Sequence, residues 1–254
     1  MNSDIGICLA GGGARGAAHI GVLKALEEHD ISPGAVSGAS AGSIIGALYA
    51  YGHSPNMIWN IIDQTNILGM IRLSFSAGLM DLKKLRDVME DVFESDGFDG
   101  FLRKLWIGVT NLNKGQWETL SDGSLYDAIE ASCAVPLVFK PVEINGQLYC
   151  DGGLLNNMPV EPLKYSCDKV ISVNIMPVKP ADEIDGFFGI VDRTIMLTVD
   201  SNTQARKSMC DVVIEIDGIE DFPTYDIRRM EELYQLSYDY TISQMSVIKA
   251  QLDM

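Results

Sequence analysis

Three histidines, five cysteines and nineteen basic residues are what this chain of 254 is short of, and each shortage removes a class of function. Against 19 Lys and Arg stand 35 Asp and Glu, a net charge of -16. That is the wrong sign for gripping a phosphate backbone by counterion release, so nucleic acid is not expected as a partner. An anionic lipid surface would repel the chain too, which limits membrane-surface contact to transient, hydrophobic encounters with neutral or monomeric lipid. Cys8, Cys133, Cys150, Cys167 and Cys210 are odd in number and lack CxxC spacing, so neither a disulfide framework nor a cysteine-based zinc site is indicated. Residues Met1 to Asp4 lack the basic segment and apolar core of a secretory signal. The expectation is a reduced, cytoplasmic protein, at most peripheral to a membrane. Repeats, low-complexity tracts and linkers are also missing, so a single domain over residues 1–254 is expected.

Charge is absent altogether from Ile31 to Ile62, a run long enough to raise a transmembrane reading. Pro33, Pro55 and Gly34, Gly38, Gly42, Gly46 and Gly52 interrupt it, so a buried strand, turn and helix are expected instead.

What the chain does have is glycine, 24 residues of it, placed where strands meet helices. Asp4 to Ala10 is an apolar run entering Gly11-Gly12-Gly13, and Ala14 to His29 carries Ile20, Leu23 and Leu26 at helical spacing. Ala35 to Ser37, Gly38-Ala39-Ser40-Ala41-Gly42 and a helix to about Tyr51 repeat the strand, turn, helix unit. Helices are expected at Pro55 to Thr65, Asp81 to Phe93, Ser124 to Cys133 and Asp226 to Leu252. Strands are expected at Leu105 to Asn111, Gln116 to Leu120, Lys169 to Ile175 and Val212 to Ile216. Val142 to Ile144, Asn145-Gly146 and Gln147 to Cys150 read as a hairpin that runs into Asp151-Gly152-Gly153. Strands alternating with helices imply an α/β fold, a central mostly parallel or mixed sheet between helical layers.

Gly11 to Gly16 satisfies GxGxxG between a strand and a helix, the dinucleotide-binding context. The acidic residue that should end the second strand is missing, because Ser37-Gly38-Ala39-Ser40 stands there. A turn of this kind also aims backbone N–H groups and a helix N-terminus at charge developing on an oxygen. Gly38-Ala39-Ser40-Ala41-Gly42 is GxSxG between strand and helix, the context of a nucleophile elbow, whose plain alternative is a Gly/Ser helix cap.

The base is the open question. Of His19, His29 and His53 only His53 follows Ser40, and a helix over Ala41 to Tyr51 carries it roughly 15 to 20 Å away, so a Ser-His-Asp triad is not expected. A suitably tuned carboxylate within reach of the hydroxyl can replace imidazole. Asp151 is the candidate: it ends a strand and enters Gly152-Gly153, although the same pattern serves an ordinary Asp-Gly turn.

Gly11 to Gly16, Gly38 to Gly42 and Asp151-Gly152-Gly153, in this order, resemble the patatin-like phospholipase family. The stretches Gly11 to Leu23, Ala131-Ser132-Cys133-Ala134-Val135-Pro136 and Asp151 to Pro159 look like its bacterial branch related to neuropathy target esterase. The resemblance spans roughly positions 5 to 175. It implies a three-layer α/β/α sandwich and a Ser-Asp dyad that hydrolyses acyl esters of lipids, phospholipid or lysophospholipid, without metal or cofactor. By matching position it makes Ser40 the nucleophile, Asp151 the base, and Gly11, Gly12, Gly13 and Arg15 the oxyanion hole, with the N–H of Ala41 contributing and Gly38 and Gly42 shaping the elbow. Neither a cyclic-nucleotide-binding nor a membrane-spanning extension is recognisable.

Two apolar stretches, Ile67 to Met80 and Ile184 to Val191 with Phe187 and Phe188, read as lid or acyl-chain wall, or simply as core. Lys83-Lys84 and Arg228-Arg229 read as solvated helix faces, and the cysteines as small buried hydrophobes, with Cys150 beside Asp151 alternatively an oxidation sensor. Two other functions stay open: a non-catalytic lipid- or acyl-binding protein on the same scaffold, and a nucleotide-binding protein using Gly11 to Gly16.

Overall fold

β-branched and apolar runs between glycine turns form a mixed sheet in a computed structural model that describes residues 3–65, 67–70, 82–181, 183–184, 186–224 and 226–254. The strands are β1 (Ser3–Leu9), β2 (Ala35–Ala39), β3 (Lys104–Asn111), β4 (Gln116–Leu120), β5 (Val142–Ile144), β6 (Gln147–Asp151), β7 (Cys167–Asn174) and β8 (Val212–Glu215). Their order is β5-β6-β3-β2-β1-β7-β8, with β4 also on β3. Strands β1, β2, β3, β7 and β8 run parallel, while β4, β5 and β6 are antiparallel to their neighbours.

Helices cover both faces: α1 (Ala17–Glu27), α2 (Ala41–Tyr51), α3 (Pro55–Thr65), α4 (Ile67–Met70), α5 (Lys83–Val92), α6 (Leu125–Cys133), α7 (Glu161–Ser166), α8 (Gly186–Lys207) and α9 (Met230–Gln251). The period-two alternation of strands sorts side chains between two cores. Ile7 and Leu9 of β1, Val36 of β2, and Ile171 and Val173 of β7 enter the large core with α1, α2 and α9; Cys8, Ala35 and Val170 point the other way, into a small core with Met158, Val160 and Leu163. The charge-free stretch from Ile31 to Ile62 is thus mainly β2, α2 and α3, and α2 is buried from Ala41 to Ala50. Among the described residues no helix is long and apolar enough to cross a membrane.

The register of β3 sets up the site. Its residues Ile107 and Gly108 pair with Gly38 and Ala39 of β2 on one edge and with Leu120 and Thr119 of β4 on the other. Val109 to Asn111 pair with β4 on that second edge and with Asp151 to Tyr149 of β6. Strands β2 and β6 therefore share one edge of β3 and run toward each other, with Ala39 opposite Gly108 and Asp151 opposite Val109. Whatever follows β2 must meet whatever ends β6.

Two expectations change. A 3-10 turn over Gly13–Gly16 precedes α1, since the glycine turn must tighten before regular helix can start. The 22-residue helix α8 is not among the expected elements: Asp192, Thr194, Thr198, Asp200, Asn202 and Thr203 interrupt its apolar residues, and none of its described side chains belongs to either core. The Ile67 to Met80 run is described only to Met70, with Ile67 and Leu68 buried in the large core; residues 71–81 lie outside the described residues.

Candidate active site

Ser40 sits between β2 and α2 with φ 50 and ψ -125, a left-handed conformation that costs a non-glycine residue about 1–3 kcal/mol. The neighbouring glycines allow the turn to be this sharp. A Cβ on Gly42 would stand 2.0 Å from the Leu9 carbonyl oxygen, and one on Gly38 would stand 2.4 Å from that of Gly42. Two serines clamp the elbow. The Ser40 N–H donates to Ser132 Oγ at 2.9 Å, Ser132 Oγ donates to Gly108 O at 2.7 Å, and Ser43 Oγ donates to Ser40 O at 2.6 Å.

Asp151 arrives from the opposite direction along β3. Its N–H donates to Ala134 O at 3.0 Å, its carbonyl accepts from Thr110 Oγ1 at 3.0 Å, and its Oδ1 accepts from the Gly153 N–H at 2.8 Å. Asp151 and Ser40 are each only 6% exposed. Burial pushes the Asp151 carboxyl up to about 6, while hydrogen bonds to the carboxylate from the Ser40 hydroxyl and the Gly153 N–H pull the other way. A carboxylate so tuned is ionised at neutral pH yet basic enough to take a proton.

The glycine turn after β1 lies against this pair. A Cβ on Gly11 would meet Ser40 Cβ at 3.0 Å and Asn157 Oδ1 at 2.5 Å, so only glycine lets the backbone come this close. The N–H groups of Gly11, Ala14 and Arg15 are spent on Asn157 O, Thr224 O and Gly12 O. Among the described residues no backbone acceptor takes those of Gly12 and Gly13, and that of Ala41 opens α2. Arg15 lies elsewhere than its matching position implies: its buried guanidinium donates to the carbonyls of Phe222 at 2.7 Å and Ile175 at 3.3 Å, and it is not a wall of the site. It braces the glycine turn against the 219–224 segment.

Ser40, Asp151 and Gly11 to Gly13 open on one cavity of about 370 Å³, its other walls including Val135, Leu137, Leu154 and Met176 and, from α8, Thr194, Ile195, Thr198 and Val199. Leu137, in a left-handed conformation and 68% exposed, stands at its mouth. The α8 wall lies beyond the expected Ile184 to Val191 stretch. That stretch enters α8, and the side chains of Phe187 and Phe188 lie outside the described residues.

No histidine joins the site. His53 follows α2 and faces a separate depression with Tyr51 and Met57. His29 contacts its own helix at Ala25 O. His19, buried and lowered to about 4 by desolvation, holds Ala10 O at 2.7 Å through Nε2 and steadies the strand that enters the glycine turn. Cys150 beside Asp151 is 2% exposed with its thiol pushed up to about 12 by burial and the neighbouring carboxylate, which removes the thiolate an oxidation sensor needs. Among the described residues no three His, Cys, Asp or Glu side chains form a metal-binding group.

Ser43, Ser132, Asn157 and Asn202 hold the site together, but no role for them is legible in the sequence. A serine ending a helix, or an asparagine in an exposed one, carries no local signal of a distant backbone partner.

A family model described as patatin-like phospholipase matches residues 7–164. The chain is 27% identical to the lysophospholipase NTE1 of Eremothecium gossypii over 93% of its own length and 18% of that protein's, and 26% identical to that of Saccharomyces cerevisiae over 93% and 16%. It therefore spans less than a fifth of the length of these fungal relatives. An uncharacterised NTE family protein of Mycobacterium bovis is 32% identical over 67% of this chain and 49% of that one. Among solved structures, VipD from Legionella pneumophila superposes with a TM-score of 0.57 at 15% identity, covering all of this chain and 67% of that one.

Proposed function

Because the chain belongs to the patatin-like phospholipase family, we propose that it is a carboxylic ester hydrolase that removes acyl groups from phospholipids or lysophospholipids through Ser40 and Asp151. The observation that carries this reading is the meeting of the strained Ser40 elbow with a buried, raised carboxylate at the base of one apolar cavity. Ser40 Oγ attacks the ester carbonyl as Asp151 takes its proton. The oxygen that gains charge is met by the N–H groups of Gly12, Gly13 and Ala41, fixed before the reaction starts. Collapse expels the alcohol, which takes the proton from Asp151 and leaves an acyl-Ser40 ester. Asp151 then deprotonates a water that attacks this ester, the fatty acid leaves, and the proton returns to Ser40.

The apolar cavity supports an acyl chain rather than a polar ligand at the reacting carbonyl, and the names of the fungal relatives support a lysophospholipid as the substrate to try first. Exposed Leu137 at the mouth fits brief contact with a neutral lipid surface, and an odd set of five cysteines without CxxC spacing fits a reducing compartment. The test is fluorophosphonate treatment followed by intact-mass and peptide analysis, alongside lysophospholipid hydrolysis. One adduct, on Ser40, that vanishes together with turnover in a folded Ser40→Ala variant is the expected result. Turnover retained in that variant would refute the assignment, and folded wild type with neither adduct nor turnover would favour a lipid-binding scaffold.

A further inference from the structure

The chemistry above makes no use of α8 except as a wall, yet α8 is held in an unusual way. Of its described side chains only Val199 and Thr203 are buried and neither belongs to a hydrophobic core, so apolar packing of the described side chains does not fix it. Polar bonds near its C-terminal end do. Arg206 Nε donates to Glu161 Oε1 at 2.8 Å, and Arg206 Nη1 donates to the carbonyl of Asn202 at 2.8 Å. The Asn202 carboxamide itself reaches across to the site: Oδ1 accepts from the Asn157 N–H at 2.8 Å, and Nδ2 donates to Gly153 O at 2.9 Å and to Thr198 O, one turn back in α8, at 3.1 Å.

Of the two residues it bridges, one touches Asp151 and the other the glycine turn. Gly153 gives its N–H to Asp151 Oδ1 at 2.8 Å. Asn157 gives Nδ2 to Gly11 O at 3.2 Å and takes the Gly11 N–H on its own carbonyl at 3.3 Å. One side chain thus ties the turn of the base, the glycine turn and the wall of the acyl cavity.

We propose that Asn202 is a positioning residue that holds the Asp151 turn and the Gly11 turn in register with each other and with α8, so that the seating of an acyl chain against α8 and the alignment of the reacting groups are one event. The proposal rests on the Ser40–Asp151 reading for its catalytic meaning, while the bridge can be probed without it. The task needs a donor and an acceptor on one short, planar group. Ionised Asp can still accept from Asn157 but cannot donate to Gly153, Ala does neither, and Gln has the right groups at the wrong reach.

Three variants, Asn202→Asp, Asn202→Ala and Asn202→Gln, with Gln204→Ala on the exposed side of α8 as control, decide the matter. With a soluble short-chain ester, kcat is expected to fall about 10- to 100-fold in the Asp and Ala variants, the scale of a misalignment near 1 Å, with KM within about threefold. Gln should restore part of it. Losing the Gly153 N–H from Asp151 removes a bond that favours the ionised form, so the acid limb of kcat/KM should also move to higher pH. A kcat and acid limb equal to wild type in all three variants, or a rise in KM alone, would overturn the proposal and leave α8 a wall. Should wild type show no turnover and no Ser40 adduct, the dyad reading fails, and hydrogen exchange still tests the bridge. The Asn157 amide should exchange faster in Asn202→Ala while amides of β1 and β7 keep their protection; unchanged protection at Asn157 would overturn the bridge itself.

Discussion

Under the proposed function, Asp151 sets stability against activity in one carboxyl. Its value of about 6 in the fold, against 3.8 for an unperturbed Asp, means that the folded chain keeps this proton to higher pH than the unfolded chain. Stability therefore falls as pH rises from near 4 to about 6, and the deficit, at most about 3 kcal/mol, persists above that. In the proposed reaction the same number sets the chemistry, because only the ionised form could accept the proton from Ser40. Ester hydrolysis should rise through an acid limb near pH 6, read from the pH dependence of kcat/KM. Asp151→Asn should lose turnover at least about a hundredfold at pH 8 and unfold at higher temperature than wild type there, with the two melting alike at pH 4. A wild type that is the more stable of the pair at pH 8 would show that the carboxyl is not paying for its burial.

At the level of elements, the site is a junction of two strand ends along β3, held by polar clamps rather than by packing. Ser132 is the clearest of these, since it joins the Ser40 N–H to Gly108 O, the backbone of β3 itself. Ser132→Ala leaves a buried N–H without its acceptor, which costs about 1–3 kcal/mol. It should lower the urea midpoint and slow Ser40 labelling by fluorophosphonate, with the slope of the unfolding curve unchanged. Labelling at the wild-type rate would mean that the glycines alone hold the elbow. This clamp was hidden in the sequence because its partners are 92 and 24 residues distant in the chain. Helix α8 was hidden for a different reason: it lies on the surface, and what fastens it is a few side-chain hydrogen bonds and ion pairs to other segments of the chain.

Over the whole molecule the net charge of -16 and the apolar cavity act together on the choice of lipid. Repulsion from an anionic surface is long-ranged at low salt and short-ranged at physiological salt, since the screening length falls from about 30 Å at 0.01 M to about 8 Å at 0.15 M. Hydrolysis of a lysophospholipid carried in zwitterionic vesicles should therefore exceed that in anionic vesicles at low salt, and the gap should narrow as salt is added. Equal rates at 0.01 M would mean that the protein meets its substrate as monomers or presents a face without net charge.

The glycine turn after β1, the GxSxG elbow, Asp151 before Gly152-Gly153 and most of the strands could be read from the sequence, because each depends on local sterics: a Cβ that will not fit, a period of two, a turn that needs glycine. The family resemblance brought Ser40 and Asp151 together only by analogy. What brings them together physically is the register of β3, with Gly108 facing β2 and Val109 facing β6 along one edge, and register is a long-range property that local pattern does not encode. The diversion of Arg15 to backbone carbonyls, the raised carboxyl of Asp151 and the bridge through Asn202 follow from the same tertiary closeness. Each exists only when segments far apart in the chain exclude water from one another, which no stretch of sequence does by itself.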